Sequence, residues 1–202
     1  MYFNTSATAP RDNYQLLTGA VVPRPIAWVS TLSAQGIANL APYSFFTVAS
    51  CKPPVLCVVQ VNPRDRAEKD TLSNLLATRE CVVNVVSHVL VDAMNISCGD
   101  YPPEVDEFEK AGLRKSLSKA VAAPGVEEAL VRFECTLREV KQIGEGTMGG
   151  TMMLLDVLGV EVSESALQDG KIARDLLDAV GKLGGDGYCT TRSHFDLKRP
   201  QL

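Results

Sequence analysis

The sequence has few of the residues that build a metal centre or a nucleic-acid surface. It contains two histidines among 202 residues, and its cysteines form no Cys-x-x-Cys pair, so we expect no zinc site. The formal net charge of −4 disfavours a nucleic-acid partner, because phosphate backbones select basic surfaces. Neither a bound metal nor a nucleic acid is therefore expected.

Long apolar runs are also missing. No run reaches the roughly 18–20 residues that a membrane helix needs. The first residues, MYFNTSATAPRDNY, lack the basic and apolar regions of a signal peptide. We therefore expect a cytoplasmic protein without a membrane partner. In that setting the six cysteines are interpreted as buried small hydrophobic residues: Cys51, Cys57, Cys81, Cys98, Cys135 and Cys189.

No side-chain catalytic centre is indicated. His88 and His194 each follow a serine, but no Gly-x-Ser-x-Gly elbow presents a nucleophile, and both histidines are interpreted as structural or solvated. A cluster of acidic residues is interpreted as a solvated face: Asp100, Glu104, Asp106, Glu107 and Glu109. We assign no catalytic residue and expect a bound cofactor to carry the chemistry.

Runs of β-forming residues dominate the sequence. The predicted strands are Ile26–Thr31, Val55–Val61, Cys81–Val86, Leu130–Ile143 and Thr151–Val162. The first three are continuous apolar runs, which predicts burial on both faces. We predict a mainly β fold with a few helices, in which the antiparallel strands close, or nearly close, into a barrel. Residues 1–202 are predicted to form a single domain.

Helices are predicted from Asp70 or Thr71, either of which is a plausible N-cap, to Arg79, and from Val89 to Ser97. A last short helix is predicted over Leu176–Val180. Residues 98–125 form a long excursion, with one helical turn within 104–112; the excursion is too long for a hairpin connection and is expected to cover something. Residues 1–15 are interpreted as an N-terminal extension and 189–202 as a C-terminal tail.

Glycines at 144, 146 and 149 match the spacing of a dinucleotide fingerprint. That fingerprint requires a strand before it and a helix after it. Here the following residues, Gly150-Thr-Met-Met-Leu-Leu155, enter another β-type run. We therefore predict a glycine-rich hairpin at this point.

Two segments combine hydroxyl, cationic and aromatic residues. Ser30 and Thr31 end a predicted strand, and Asn39–Phe46 follows after a turn. Lys69–Thr71 lies at a predicted helix start, where free N–H groups and the helix dipole favour a phosphate; Arg64 and Arg66 stand nearby. These residues could bind a phosphorylated aromatic cofactor. The alternative is that they are a helix cap, a surface lysine and core aromatics.

The sequence resembles the flavin reductase-like family, whose fold is a Greek-key, FMN-binding split barrel. The similar segments follow the family's order over almost the whole chain: Pro23–Thr31, Asn39–Phe46, Pro53-Pro54, Lys69–Thr71, Val82–Val85, Ala93–Asn95, Phe108–Gly112, Phe133–Cys135, Leu183–Tyr188 and Phe195–Pro200. Lys182 departs from the pattern, since relatives often carry arginine or histidine there. Lysine is a point charge without the flat fork of arginine.

The resemblance implies a site for FMN, with FAD less expected. Ser30 and Thr31 resemble the hydroxyl pair that contacts the phosphate and ribityl chain, and Lys69, Asp70 and Thr71 resemble a second phosphate-side loop. The segment along the flavin ring corresponds to Asn39, Ala41, Pro42, Tyr43, Ser44 and Phe45. Family members form homodimers with the FMN sites near the interface, where residues 98–125 could serve as a lid or as a dimer contact.

The resemblance further implies an enzyme that passes electrons from NAD(P)H through FMN to a flavin, oxygen, iron or protein acceptor. Such an enzyme can be the reductase partner of an oxygenase. The alternative is a flavoredoxin-like electron carrier that binds flavin without NAD(P)H activity of its own. No side chain is required to act as acid or base in either case.

Overall fold

Strands make up most of the regular structure. A computed structural model describes residues 1–63 and 68–200. The strands are β1 (Arg24–Pro25), β2 (Ala27–Leu32), β3 (Ala38–Tyr43), β4 (Phe45–Cys51), β5 (Pro54–Val61), β6 (Glu80–Val85), β7 (Lys115–Ser116), β8 (Gly125–Val126), β9 (Val131–Gln142), β10 (Gly150–Val162), β11 (Leu167–Gln168), β12 (Lys171–Ile172), β13 (Val180–Lys182) and β14 (Tyr188–Thr190).

The helices are short and lie between the strands. They are α1 (Pro10–Ala20), α2 (Asp70–Thr78), α3 (Val91–Ile96), α4 (Glu107–Lys110) and α5 (Arg174–Leu177), with 3-10 turns at His88–Leu90 and Glu164–Ala166. Among the described residues, no helix is both long and apolar enough to cross a membrane.

One sheet curls into a barrel that is open along a seam. Seven strands pair antiparallel in the order β3-β2-β6-β9-β10-β5-β4. The two edge strands, β3 and β4, are separated in the chain by Ser44 alone. The sheet must therefore curl until its two edges meet. This arrangement confirms the predicted mainly β, split-barrel fold.

The sheet carries apolar side chains on both faces. Along β2, alternate residues point in opposite directions, as the pleat requires. Ala27 and Val29 belong to the core cluster inside the curled sheet, whereas Trp28 belongs to the cluster that packs under α3 and α4. Burial of one large apolar side chain stabilises a fold by about 1.5–3 kcal/mol. Both clusters therefore hold β2 in place, and its burial on both faces is confirmed.

A small sheet of β1, β13 and β14 lies beside the seam. In the chain, α1 precedes β1, and β1 leads through Ile26 into β2 of the large sheet. The guanidinium of Arg24 joins these parts, because it donates to the carbonyls of Thr18, Val21 and Leu183. The buried Arg24 side chain thereby fixes α1 and the turn after β13 against the barrel.

The large strands begin and end within one residue of most predicted bounds, but some helices differ. The helix predicted from Val89 is a 3-10 turn followed by α3. The helix predicted over Leu176–Val180 instead ends at Leu177, because Asp178 adopts a left-handed φ of 44° and Val180 begins β13. Within the excursion, β7 and β8 pair where only loop was expected beyond the helical turn.

The glycine-rich segment is a hairpin, as predicted. It joins β9 to β10, which pair antiparallel from Gln142 and Thr151 onwards. A Cβ at Gly149 would lie 2.2 Å from the Gly144 carbonyl oxygen, so this close approach requires glycine. The element directly after the glycines is the strand β10, where a dinucleotide fingerprint would need a helix.

The interpretation of the cysteines is correct for only part of the set. Cys81 and Cys135 are fully buried cross-strand neighbours. Cys57 and Cys189 are half-buried, and Cys51 and Cys98 are exposed. Exposure follows position, since Cys51 ends an edge strand and Cys98 follows α3 into the excursion.

Candidate functional site

A cleft of about 250 Å³ opens along the barrel seam, where β3, the start of α2 and the beginning of the excursion meet. We call it the seam cleft. Its lining residues are Asn39, Ala41, Pro42, Tyr43, Lys69, Asp70, Thr71, Ser97, Cys98, Gly99, Asp100, Tyr101 and Glu107. Seven of these belong to the predicted cofactor-binding set, from Asn39 to Thr71.

One wall of the seam cleft is the free edge of β3. In an antiparallel strand both polar groups of a residue point to the same side. The Leu40 N–H points away from β2, because it donates to Glu107 Oε2 at 3.0 Å. By the same alternation the Pro42 carbonyl faces the free side, where a proline removes no ladder hydrogen bond. The edge therefore offers backbone acceptors beside an apolar ring.

The N-terminus of α2 brings Lys69, together with the acidic Asp70, to one end of the cleft. Lys69 is the N-cap residue, in extended conformation and without a side-chain cap hydrogen bond, so the predicted caps Asp70 and Thr71 are instead the first helical residues. The Lys69 Nζ lies 5.6 Å from the centroid of the Tyr43 ring. A lysine and a helix N-terminus together favour an anion here. Arg64 and Arg66 lie outside the described residues.

Two side-chain hydrogen bonds fasten α2 to the sheet. Asn39 Nδ2 donates to Thr71 Oγ1 at 3.1 Å, and Asn74 Nδ2 donates to Thr31 Oγ1 at 3.0 Å. Thr31 and Asn39 are direct neighbours across the β2–β3 ladder. Thr31 is fully buried and does not line the cleft. In this arrangement it positions the helix, and its predicted contact with a cofactor stays a prediction.

Ser30 lies on the opposite face of β2. It is fully buried, donates from Oγ to the Pro124 carbonyl at 2.5 Å and accepts from Asn84 Nδ2 at 3.2 Å. These bonds tie the end of the excursion to the barrel. The cleft residues do not include Ser30, and its predicted phosphate contact likewise stays a prediction.

Glu107 is a buried carboxylate in the cleft wall, with 6% of its surface exposed. The acidic cluster is therefore not wholly a solvated face, and that interpretation is wrong for this residue. Burial raises the pKa of Glu107, while the hydrogen bond from Leu40 opposes the rise. Asp106 caps α4 by accepting from the Phe108 N–H at 2.9 Å. No periodic pattern in the sequence separates Glu107 from the exposed Glu104 and Glu109.

Ser44 and Phe45 lie beyond the seam cleft, in a neighbouring apolar groove. Phe45 stacks with Tyr14 of α1, with ring centroids 6.3 Å apart. Ser44 Oγ accepts from Arg24 Nε at 3.4 Å. The predicted ring-binding segment therefore divides at the seam. Ser44 and Phe45 line the groove beside α1, and the remaining predicted residues line the cleft: Asn39, Ala41, Pro42 and Tyr43.

The opposite wall comes from the end of α3 and the excursion, which the site prediction left out. Ser97 is fixed there, because it accepts from Trp28 Nε1 at 2.9 Å. Gly99 packs so closely on Tyr101 that an added Cβ would lie 2.5 Å from the ring. The excursion was expected to cover something, and residues 98–101 do line the cleft. Its unusual length is the signal that could have located them.

The histidines lie elsewhere. His88 and His194 are both exposed, and neither lines the seam cleft. His88 Nδ1 lies 3.4 Å from Arg192 Nη2, and His194 Nδ1 lies 3.1 Å from the Thr191 carbonyl. Their interpretation as structural or solvated is consistent with these positions.

The chain is similar to known proteins over most of its length. The chain matches the model of the Flavin reductase like domain over residues 19–183. An uncharacterized protein of Aquifex aeolicus (strain VF5) is 41% identical over 199 residues, covering 98% of this chain and 100% of that protein. The matched range includes every residue of the seam cleft.

Solved structures of known proteins share the fold over nearly the full length. Nitrilotriacetate monooxygenase component B from Bacillus cereus has a TM-score of 0.92 and 31% sequence identity, covering 98% of each chain. Pseudomonas fluorescens 2-nitrobenzoate 2-nitroreductase has a TM-score of 0.89 and 27% identity, covering 100% of this chain and 98% of that chain.

Proposed function

Because the chain belongs to the flavin reductase-like domain family, we propose that it binds FMN in the seam cleft and acts as an NAD(P)H-dependent flavin oxidoreductase. Its electrons would pass to a flavin, oxygen, iron or protein acceptor. The observation that carries this proposal is the placement of a lysine and a helix N-terminus at one end of a cleft whose wall is a free strand edge.

The donor set fits a phosphorylated aromatic group. Lys69 and the first turn of α2 would hold the phosphate, since both favour an anion. The Pro42 ring and the backbone of β3 would lie along the flat ring, and Glu107 closes the wall behind them through the Leu40 N–H. The hydrogen bonds between Thr31, Asn39 and α2 would keep the two ends at a constant separation.

When bound, FMN would supply the redox chemistry that links a reduced nicotinamide to the electron acceptor. The residues of this chain bind and orient. Tyr43 and Pro42 line one side of the cleft, and no side chain is assigned as acid or base. The choice of FMN over FAD and the use of NAD(P)H are part of the proposal.

We also propose a homodimer and, as a partner, an oxygenase that receives reduced flavin. The similarity to a monooxygenase component B supports the second. The first is supported by the apolar groove along β4, an edge strand of the sheet, whose lining includes Leu17, Val21, Phe45 and Phe46. Light scattering on the purified protein, which gives its molar mass in solution, tests the homodimer. The predicted cytoplasmic location and single domain stay predictions.

Flavin binding is tested by titrating the flavin-free protein with FMN. The proposed activity is tested by following oxidation of NADH and NADPH with and without added free flavin. We expect quenching of FMN fluorescence on binding and turnover with at least one nucleotide. Protein that binds FMN but oxidises neither nucleotide would instead be the electron carrier. Protein that leaves FMN fluorescence unchanged would refute the flavin site.

A further inference from the structure

A second, smaller cavity adjoins the seam cleft. It measures about 110 Å³ and lies between β13, β14 and the barrel seam. Its lining residues are Ile26, Pro42, Ser44, Met94, Cys98, Lys182 and Tyr188. Pro42 and Cys98 belong to both cavities, so the two share a wall. Binding pockets for whole ligands usually measure about 300–1,000 Å³, so this cavity has room for only part of one.

Lys182 is held in this cavity by its own strand pair. Lys182 of β13 lies opposite Tyr188 of β14, and its Nζ lies 4.0 Å from the centroid of the Tyr188 ring. The same Nζ donates to the Gly185 carbonyl at 2.6 Å and approaches the Gly187 carbonyl at 3.4 Å. The ammonium group is therefore fixed in position, although lysine is ordinarily mobile.

Lys182 supplies the positive charge among the residues that line this cavity. Arg24, its neighbour across the β1–β13 ladder, already donates to carbonyls of Thr18, Val21 and Leu183 and does not line the cavity. Burial lowers the pKa of Lys182, and the nearby carboxylate of Asp186 opposes this. A partly desolvated ammonium beside an aromatic ring gains more from an anion than an exposed one does.

The two cavities repeat one arrangement at their two ends. Lys69 lies over Tyr43 in the seam cleft, and Lys182 lies over Tyr188 in the adjoining cavity. An FMN with its phosphate at Lys69 would leave the second lysine for another anion. The shared wall at Pro42 would bring that second ligand beside the flavin.

We propose that Lys182 binds an anionic group of the second substrate, and that the small cavity is the anchoring end of that substrate's site. This inference rests on the proposed function. The anion can be a phosphate of the reduced nicotinamide or a carboxylate of an electron acceptor. The group is bound and oriented there, and no covalent step takes place at Lys182.

The test is a calorimetric titration of FMN-loaded protein with inorganic pyrophosphate and, separately, with benzoate. Lys182→Met removes the charge, Lys182→Arg keeps it, and Lys171→Met removes an exposed lysine of β12 as the matched control. Loss of one charge-assisted hydrogen bond predicts a roughly ten- to 150-fold weaker affinity in Lys182→Met for at least one of the two probes. Lys182→Arg and Lys171→Met should bind within about threefold of the wild type, well under one such bond.

The probes separate the sources of the anion. Weakened pyrophosphate alone assigns the cavity to a phosphate-bearing donor, weakened benzoate alone assigns it to a carboxylate acceptor, and weakening of both supports an anion site without preference. Unchanged affinities in Lys182→Met, or no binding of either probe to the wild type, would overturn the inference. An equal loss of FMN affinity in that variant would also overturn it, by placing Lys182 in the flavin site.

Two separate measurements, nicotinamide oxidation and anion affinity, distinguish failure of the proposed function from failure of the anion site. If the protein binds FMN, oxidises no nicotinamide, and still loses anion affinity in Lys182→Met, the anion site stands and the nicotinamide activity falls. If it oxidises NAD(P)H with unchanged anion affinity in the variant, the activity stands and the site at Lys182 falls. Protein that binds no FMN at all refutes both.

Discussion

Replacement of Lys69 by methionine is expected to weaken FMN binding without weakening the binding of riboflavin, which lacks the phosphate. Methionine keeps a flexible apolar stem over the Tyr43 ring, and the lysine side chain makes no cap hydrogen bond in α2, so the helix should remain in place. A hydrogen bond to a charged group contributes about 1.5–3 kcal/mol, which corresponds to a roughly ten- to 150-fold increase in Kd.

The assay is quenching of flavin fluorescence during titration of flavin-free protein, at one ionic strength, with FMN and with riboflavin. Lys171→Met, at an exposed position of β12, is the matched control. We expect a Kd for FMN that rises only in Lys69→Met, and Kd values for riboflavin that are equal in all three proteins. If both ligands lose affinity equally, or if FMN binds Lys69→Met as tightly as the wild type, the phosphate does not lie at this helix.

Thr31→Val leaves the Asn74 amide without its buried acceptor and should lower the free energy of unfolding by about 1–3 kcal/mol, whereas Ser116→Ala should change it by less than about 0.5 kcal/mol; equal urea midpoints would count against the role of this bond. Burial raises the pKa of Glu107, so its contribution to stability is full below the ordinary carboxyl pKa and is lost as the pH rises through the raised value. Glu107→Gln should remove that loss, and parallel wild-type and variant profiles of melting temperature against pH would contradict it. Gly99→Ala adds a methyl group at 2.5 Å from a tyrosine ring and should weaken FMN binding; unchanged affinity would show that this wall does not contact the ligand.

Much of the barrel could be predicted from the sequence because its strands are continuous runs of β-forming residues. The hairpin between β9 and β10 was also predictable, since β-type residues follow its glycines where a dinucleotide fold needs a helix. The helix α1 was missed. It lies mostly in a segment interpreted as an extension, and Thr18 is its buried residue, so its apolar stripe is too weak to mark it.

The side-chain directions at the site could not be predicted in the same way. Ser30 and Thr31 point to opposite faces of β2, and both faces are buried. Because apolar residues occupy both faces, no alternation in the sequence marks which face meets the cleft. The two hydroxyls therefore read as a pair in sequence, although one bonds to the excursion and the other to α2.

Glu107 illustrates a second limit. Its neighbours Glu104 and Glu109 are exposed, and a local pattern of acidic residues predicts solvation for all of them. The burial of Glu107 depends on the Leu40 N–H at the free edge of β3, which is distant in sequence. Contacts of this kind form only when the folded sheet brings distant residues together, so a local sequence pattern does not predict them.

Anaerobic mixing of the FMN-loaded protein with NADH or NADPH shows whether bound FMN takes electrons from a reduced nicotinamide. We expect that at least one nucleotide bleaches the yellow absorbance of the bound flavin and that this absorbance returns when oxygen is admitted. A protein that retains FMN but keeps its full absorbance with both nucleotides would contradict the oxidoreductase and leave the electron carrier.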